Sequence, residues 1–250
     1  MLELNKFYNM DCLDGMKLID NKSIDMILCD LPYGTTQCKW DVLIPFTPLW
    51  EQYNRIIKDN GAIVLFGTGP FSSTLRLSNL KNYKYDWVWD KVKGSGFLNA
   101  KKQPMRNHEV LSVFYKKQCT YNPQKTQGHQ KKKSFRGKHL QTDVYGEMKK
   151  DNLYESTERY PRSIQIFSPD TQKSSLHPTQ KPIALCEYMI KTYTNKNEVI
   201  LDNCGGSGTT AIACINTNRQ YILMEKYQDK YEVGLDRVQN HKVNVQSVFR

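Results

Sequence analysis

Val199-Ile-Leu-Asp-Asn-Cys-Gly-Gly-Ser-Gly-Thr-Thr210 is the stretch on which the fold turns. Its apolar start ending in an acid reads as a buried strand, Glu198–Asn203. Gly205, Gly206 and Gly208 then permit a tight turn into a helix over Gly208–Asn218. Gln220–Lys226 reads as another strand, so the segment is a βαβ unit, which predicts a parallel sheet covered by helices. The glycines let the backbone approach a nucleotide-like ligand at the carboxyl edge of that sheet. Glu225, 23 residues after Asp202, stands where an acid takes the two hydroxyls of a ribose. The spacing is not GxGxxG, which argues against a dinucleotide, nor GxxxxGK[ST], which excludes a phosphate-cradling P-loop. Taken alone, the turn also admits a purely steric need for glycine.

Upstream, Ser23–Asp30 is an apolar run ending in an acid and followed by Pro32 and Gly34, a buried strand breaking into a loop. Thr47 and Pro48 start a helix, Trp50, Tyr53 and Ile57 recur along it, and Gly61 is expected to end it. Ala62–Gly67, Tyr85–Lys91 and Val110–Lys116 read as further strands. A helix starts again at Pro182, with Leu185, Tyr188, Met189 and Tyr193 on one stripe.

From about Gln118 to Ser175 Lys, Gln, Thr, Asn and Gly dominate and neither period persists. A structureless loop of that length is unusual in a compact domain, so an inserted recognition module or an arm is expected. The chain carries a formal charge of +11, and such an excess attracts polyanions, nucleic acid first. Its distribution is uneven: from Lys116 to Lys150 ten Lys/Arg face only Asp143 and Glu147.

Hydrophobic residues at 39% and charged residues at 24% are ordinary for a globular protein. No apolar run approaches the roughly 20 residues that span a bilayer. The first residues do not read as a signal peptide. The seven cysteines form no CxxC pair and no Cys/His cluster, so neither structural zinc nor a disulfide framework is expected, and a reducing, cytoplasmic setting fits.

Two shorter motifs carry chemistry. In Leu28-Cys-Asp-Leu-Pro-Tyr-Gly34 an acid, a backbone carbonyl and an aromatic ring follow one another on a strand-ending loop. Asp30 and the Leu31 carbonyl can each accept a hydrogen from an exocyclic amine while Tyr33 stacks on its ring. His177-Pro-Thr-Gln-Lys-Pro182 groups a cation, a hydroxyl and an amide ahead of a helix, enough to hold a small zwitterion.

These three motifs, in this order, resemble the β-class DNA amino-methyltransferases of bacteria and phages, which show DPPY early, a variable target-recognition region, then HPTQKP, and DPFxGSGTT near the C-terminus. The resemblance covers residues 5–115 and 176–238. It implies an α/β, Rossmann-like S-adenosylmethionine-dependent methyltransferase fold with a mostly parallel sheet, helices on both faces and permuted motif order. By this reading residues 1–117 form the catalytic part, 118–175 an inserted basic target-recognition region, and 176–250 the cofactor-binding part. Asp30, Leu31, Pro32 and Tyr33 form the catalytic loop, with Asp30 also bordering the cofactor. Asp202, Gly206, Ser207, Gly208 and Thr209 line the cofactor loop, and Glu225 takes the ribose. Lys181, His177, Thr179 and Gln180 face the methionine end, Asp11 and Cys12 lie near the cofactor's adenine, and His108 and Glu109 buttress the site.

The implied reaction is methylation of N6 of a flipped adenine in duplex DNA. A homodimer and a cognate restriction endonuclease are candidate partners. Two departures stand out: Leu31 replaces the first proline of DPPY, and Asn203-Cys204 replace Pro-Phe. Cytosine N4 is the nearest alternative target, although members with that activity usually carry Ser in place of Asp30. C5-cytosine chemistry needs a cysteine after a proline, and none of the ten prolines precedes one. A non-catalytic nucleic-acid-binding protein on the same scaffold is the alternative from another class.

Overall fold

The computed structural model describes residues 2–136, 141–142, 146–147, 152–169 and 180–248. The chain divides into two compact units, Met1–Asn122 with Ser163–Arg250, and Pro123–Arg162. In chain order the larger unit contains β1 (Lys6–Asn9), α1 (Cys12–Lys17), β2 (Ile24–Cys29), α2 (Phe46–Ile56), β3 (Ile57–Gly67), α3 (Gly69–Ser78), β4 (Tyr83–Ser95) and β5 (Arg106–Phe114). The smaller unit holds β6 (Lys132–Arg136), β7 (Gln141–Thr142), β8 (Gly146–Glu147) and β9 (Asn152–Ser156). The larger unit resumes with β10 (Ile164–Ile166), α4 (Ile183–Tyr193), β11 (Val199–Asp202), α5 (Thr209–Thr217), β12 (Gln220–Glu225) and α6 (Gln228–Val248).

Eight strands make the central sheet in the order β1-β12-β11-β2-β3-β5-β4-β10. Every neighbouring pair is parallel except those that involve β5. Strand β2 is buried along its whole length, as a parallel strand covered on both faces must be. Its alternate side chains feed two cores. Met26 and Leu28 join α4 and α5 on one face, through residues such as Met189 and Ile212. Ile27 and Cys29 join α1 and α2 on the other, through residues such as Met16 and Tyr53. This is the mostly parallel, two-faced α/β sheet that the βαβ pattern predicts.

Helix α2 ends at Ile56 rather than at Gly61, and β3 begins at once. Gly61 instead sits inside the strand, where a Cβ would lie 2.8 Å from the Asp25 carbonyl. The glycine marks a close approach of β3 to β2 and not a helix stop. The expected insert, 118–175, is wider than the smaller unit: Thr120 N donates to Asn60 O and Asn122 N to Thr192 O, and β10 pairs with β4. In the smaller unit β6 pairs antiparallel with β9, and Lys131 and Lys133 flank Glu155. Among the described residues no helix is long and apolar enough to cross a membrane.

Candidate active site

Strands β11 and β2 are parallel neighbours, so the loops that follow them leave the sheet at the same edge. From there the chain diverges: β11 leads through α5 to β12 on one side, and β2 leads through α2 to β3 on the other. Such a switch point leaves a crevice at the carboxyl ends of the strands. A cavity of about 830 Å³ opens there, lined among others by Asp30, Tyr33, Lys181, Gly206 and Glu225.

The glycine turn is shaped from three directions. Gly205 N donates to Met224 O at 2.7 Å, which ties the loop to β12. Gly206 N donates to Glu225 Oε2 at 3.1 Å, and Tyr227 N to Glu225 Oε1 at 3.0 Å. Each carboxylate oxygen keeps a further lone pair for a hydroxyl. Gly206 and Gly208 have φ of +47° and +73°, where a side chain is strained. The third wall is α6: a Cβ on Gly234 would lie 2.4 Å from Gly206 O, so this helix touches the turn through bare backbone. Arg237 clamps the turn by donating to Ser207 O at 2.7 Å and Thr209 Oγ1 at 3.0 Å.

Asp202, Ser207, Gly208 and Thr209 build the turn without lining the cavity, in contrast with the direct cofactor lining inferred for them from the motif. The Asp202 carboxylate accepts from Thr210 Oγ1 at 2.6 Å and Cys204 N at 3.1 Å. Its burial raises the carboxyl to about 6, against the pull of those donors. Asn203, Cys204 and Gly206 present the turn to the cavity instead. Cys204 lies within thiol hydrogen-bonding reach of Cys12 and Cys29, and burial pushes the Cys29 thiol up to about 12. The small side chain at 204 therefore packs into a group of protonated thiols.

A chain of four charges crosses the cavity's opposite wall. Lys181 Nζ lies 3.0 Å from Asp30 Oδ2 and 2.8 Å from Glu109 Oε2. Lys91 Nζ lies 3.2 Å from Glu109 Oε1. The Lys181, Glu109 and Lys91 side chains are only 11–13% exposed, whereas Asp30 keeps 31% open. Burial raises the Asp30 carboxyl above the ordinary aspartate value, Lys181 opposes this, and Glu109 adds to it. Burial also works against charge on Glu109, but Lys181 and then Lys91 outweigh it and hold its carboxyl below the ordinary value. Lys181 is held above the ordinary lysine value because Asp30 and Glu109 overcome the cost of its burial.

Tyr33 donates its hydroxyl to Asp30 Oδ1 at 2.7 Å and stacks on Phe71, ring centres 4.7 Å apart. The following turn is closed by Asp41, which accepts from the N–H groups of Gly34, Thr35 and Thr36 at 2.8–2.9 Å. Burial disfavours the Asp41 charge, but these donors, Gly34 first, hold its carboxyl below the ordinary value.

Asp11, Cys12, Asp30, Leu31, Pro32, Tyr33, Gln180, Lys181, Gly206 and Glu225 all meet at this one cavity. His177 and Thr179 lie outside the described residues. Glu109 borders the cavity, whereas His108 is exposed, its Nδ1 3.4 Å from Asn107 Oδ1. Lys91, Arg237 and Gly234 escaped the motif reading. Glu109 is legible in the sequence only as a buttress that the resemblance implies, and Lys91 is one of several charges in β4, beside Lys84, Asp86, Asp90 and Lys93.

The match to the N6/N4 family of DNA methylases runs over residues 24–235, and the chain belongs to that family. It is 29% identical over 246 residues to the type II methyltransferase M1.MboII of Moraxella bovis, covering 89% of this chain and 92% of that one. It is 26% identical to the DNA adenine methyltransferase YhdJ of Escherichia coli, covering 91% and 80%. Among solved structures, an M1.HpyAVI–SAM complex superposes with a TM-score of 0.63 at 22% identity, covering 93% of this chain and 98% of that one. The cytosine-N4-specific PvuII DNA methyltransferase superposes with a TM-score of 0.66 at 16% identity, covering 93% and 85%. The fold is that of the S-adenosylmethionine-dependent DNA methyltransferases.

The cavity suits that methyl donor. Its volume falls within the range of small-molecule and cofactor sites, about 300–1,000 Å³. The Glu225 carboxylate lines the cavity beside the turn narrowed by Gly206. Gln180 is buried on the cavity wall, and its Oε1 has no hydrogen-bond partner among the described residues. A buried acceptor of this kind calls for a donor, and the ammonium of a methionine moiety would be one.

Proposed function

We propose that the chain methylates N6 of an adenine extruded from duplex DNA, as a β-class enzyme, and that residues 118–175 hold its target-recognition region. One observation carries this reading: Asp30 and Tyr33, at the end of β2, face the same cavity as Gly206 and Glu225, at the ends of β11 and β12. An amine acceptor and a nucleoside site thereby share a single crevice.

Glu225, Gly206, Asp11 and Cys12 would hold the nucleoside part of S-adenosylmethionine, with Gln180 toward its amino-acid end. Bound there, the cofactor supplies an electrophilic methyl group. Asp30 and the Leu31 carbonyl accept the two amine hydrogens of the base, which draws the nitrogen's lone pair out of conjugation with the ring. An aspartate is too weak a base to deprotonate a neutral aryl amine. Asp30 therefore acts first as an anion that stabilises charge developing on nitrogen, and the surplus proton leaves afterwards. Its raised carboxyl suits it to accept that proton once the nitrogen is cationic. Lys181 is a positioning residue: it keeps Asp30 ionised against burial and fixes Oδ2, while Tyr33 fixes Oδ1. Tyr33, braced by Phe71, gives the extruded base a stacking wall, worth about 1–3 kcal/mol against the few kcal/mol of extrusion.

Asp30, where cytosine-specific members usually carry Ser, and the similarity to an adenine methyltransferase both favour adenine. The type II relatives favour a cognate restriction endonuclease in a bacterial or phage-infected cytoplasm. The test is incubation with labelled S-adenosylmethionine and mixed-sequence duplex DNA, followed by nucleoside analysis. N6-methyl-2′-deoxyadenosine is expected, with Asp30→Ala retaining cofactor binding while losing transfer at least 1,000-fold, about 4 kcal/mol. Label in N4-methylcytosine would replace the adenine reading, and near-normal turnover by the variant would remove Asp30 from its role.

A further inference from the structure

The hairpin joining β4 to β5 has no part in the chemistry above, yet it borders the same cavity through Lys93, Gly94, Ser95 and Arg106. Beyond those residues it exposes two large apolar side chains side by side, Phe97 at 77% and Leu98 at 98%. A soluble surface tolerates scattered apolar residues; an adjacent pair at the tip of a built loop calls for a partner.

The tip is built. Ser95 pairs with Arg106 across the hairpin, and Ser95 Oγ donates to the Arg106 carbonyl at 3.1 Å. Gly96, at φ +88°, turns the chain into a short 3-10 helix over Phe97–Asn99. Asn99 O then accepts from Lys102 N at 2.8 Å and Gln103 N at 3.0 Å. Gly94 lets the two arms close, since a Cβ there would meet Met105 Cβ at 3.0 Å. Charge identifies the partner. Lys93, Lys101, Lys102 and Arg106 fall in this hairpin, and no Asp or Glu occurs from 92 to 106. An apolar tip collared by cations alone suits a polyanion with a stacked interior, which is duplex DNA.

We infer that this hairpin is the wedge that opens the duplex: Phe97 and Leu98 enter the base stack at the place vacated by the extruded base, and Lys93, Lys101, Lys102 and Arg106 hold the flanking phosphates. The inference deepens the proposed function and rests on it for the identity of the nucleic acid. An extruded base leaves a gap whose stacking is lost. Apolar side chains that fill the gap lower the cost of the open state without touching the methyl-transfer groups. Because the hairpin reaches the cavity wall, the gap and the receiving site lie within one loop of each other.

The test compares wild type with Phe97→Ser/Leu98→Ser on the same sheared mixed-sequence DNA, native or heat-denatured. Transfer of labelled methyl to the native duplex should fall on the order of tenfold or more, and transfer to the denatured strands less than twofold. Independently of transfer, permanganate oxidation of unstacked thymines in the bound duplex should rise with wild type and stay at background with the variant. Equal loss on both DNA forms, or none on either, overturns the wedge. So does a change of sedimentation coefficient in the variant, which would make the tip a contact between copies of the chain. A wild type that raises permanganate reactivity but transfers no methyl to any DNA would defeat the proposed function and leave the wedge standing.

Discussion

Replacing Glu109 by Gln tests the charged wall of the cavity most directly. In the native protein Lys91, Glu109, Lys181 and Asp30 balance as two cations and two anions, with contacts of 3.2, 2.8 and 3.0 Å. Glutamine keeps the shape and one acceptor but leaves an uncompensated positive charge between side chains that are 11–13% exposed. Removing one partner of a buried ion pair typically costs about 3–5 kcal/mol. The lower end applies here, about 3 kcal/mol, because Lys181 retains Asp30. For a chain of this size that corresponds to a fall in Tm of about 6–12 °C. Glu109 also divides the pull of Lys181, so without it Lys181 bears on Asp30 alone and competes with the incoming amine. Turnover should drop about tenfold, roughly 1.4 kcal/mol, with the KM for the methyl donor within about twofold of wild type. Glu109 raises the Asp30 carboxyl, so the acid limb of the rate profile should move to lower pH. Scanning calorimetry and initial rates from pH 5 to 9 read all of these quantities. Lys91→Met combined with Glu109→Gln restores neutrality and should recover part of the lost stability. A single variant that melts and turns over like wild type, or a double variant worse than the sum of its parts, would refute the coupling.

Two further outcomes concern the glycine turn. The Asp202 carboxyl, raised to about 6 by burial, binds its proton more readily in the folded than in the unfolded chain. Its contribution is therefore fully present below about pH 4 and is lost as pH rises through 6, a swing of roughly 3 kcal/mol. Asp202→Asn should remove this dependence: the stability difference between wild type and variant should shift toward wild type from pH 7 to pH 4, and denaturant melts showing a constant difference would contradict the assignment. Gly234→Ala should raise intrinsic helix propensity by about 1 kcal/mol. Its Cβ would nevertheless meet Gly206 O at 2.4 Å and Phe7 Cε1 at 2.7 Å. A net loss of about 2 kcal/mol and weaker S-adenosylmethionine binding by calorimetry are expected, and a stabilised variant with unchanged affinity would show that α6 yields freely.

Strand β2 was legible because burial on both faces of a parallel sheet leaves an unbroken apolar run, and Asp30 stood out because an acid ends that run. The glycine turn was legible for a similar reason, since positive φ at 206 and 208 demands a residue without a side chain. Strand limits were less so. Gly61 belongs to β3 because of how closely β2 passes, and nothing local to 57–61 records that approach. The margins of the insert escaped for the same cause: Thr120, Asn122 and Ile164 are held by hydrogen bonds to residues far away in the chain.

Local chemistry therefore determined the elements, the βαβ unit and the acids, Asp30 and Glu225, that stand at the ends of buried strands. Strand order decided everything that needs two distant segments at once. Placing β11 beside β2 put Gly206 and Tyr33 on one cavity, and pairing β4 with β5 set Lys91 against Glu109. The physical reason is that backbone propensity and side-chain period act over a few residues, whereas contacts such as Lys181 with Asp30, or Gly234 with Gly206, exist only once the sheet has assembled.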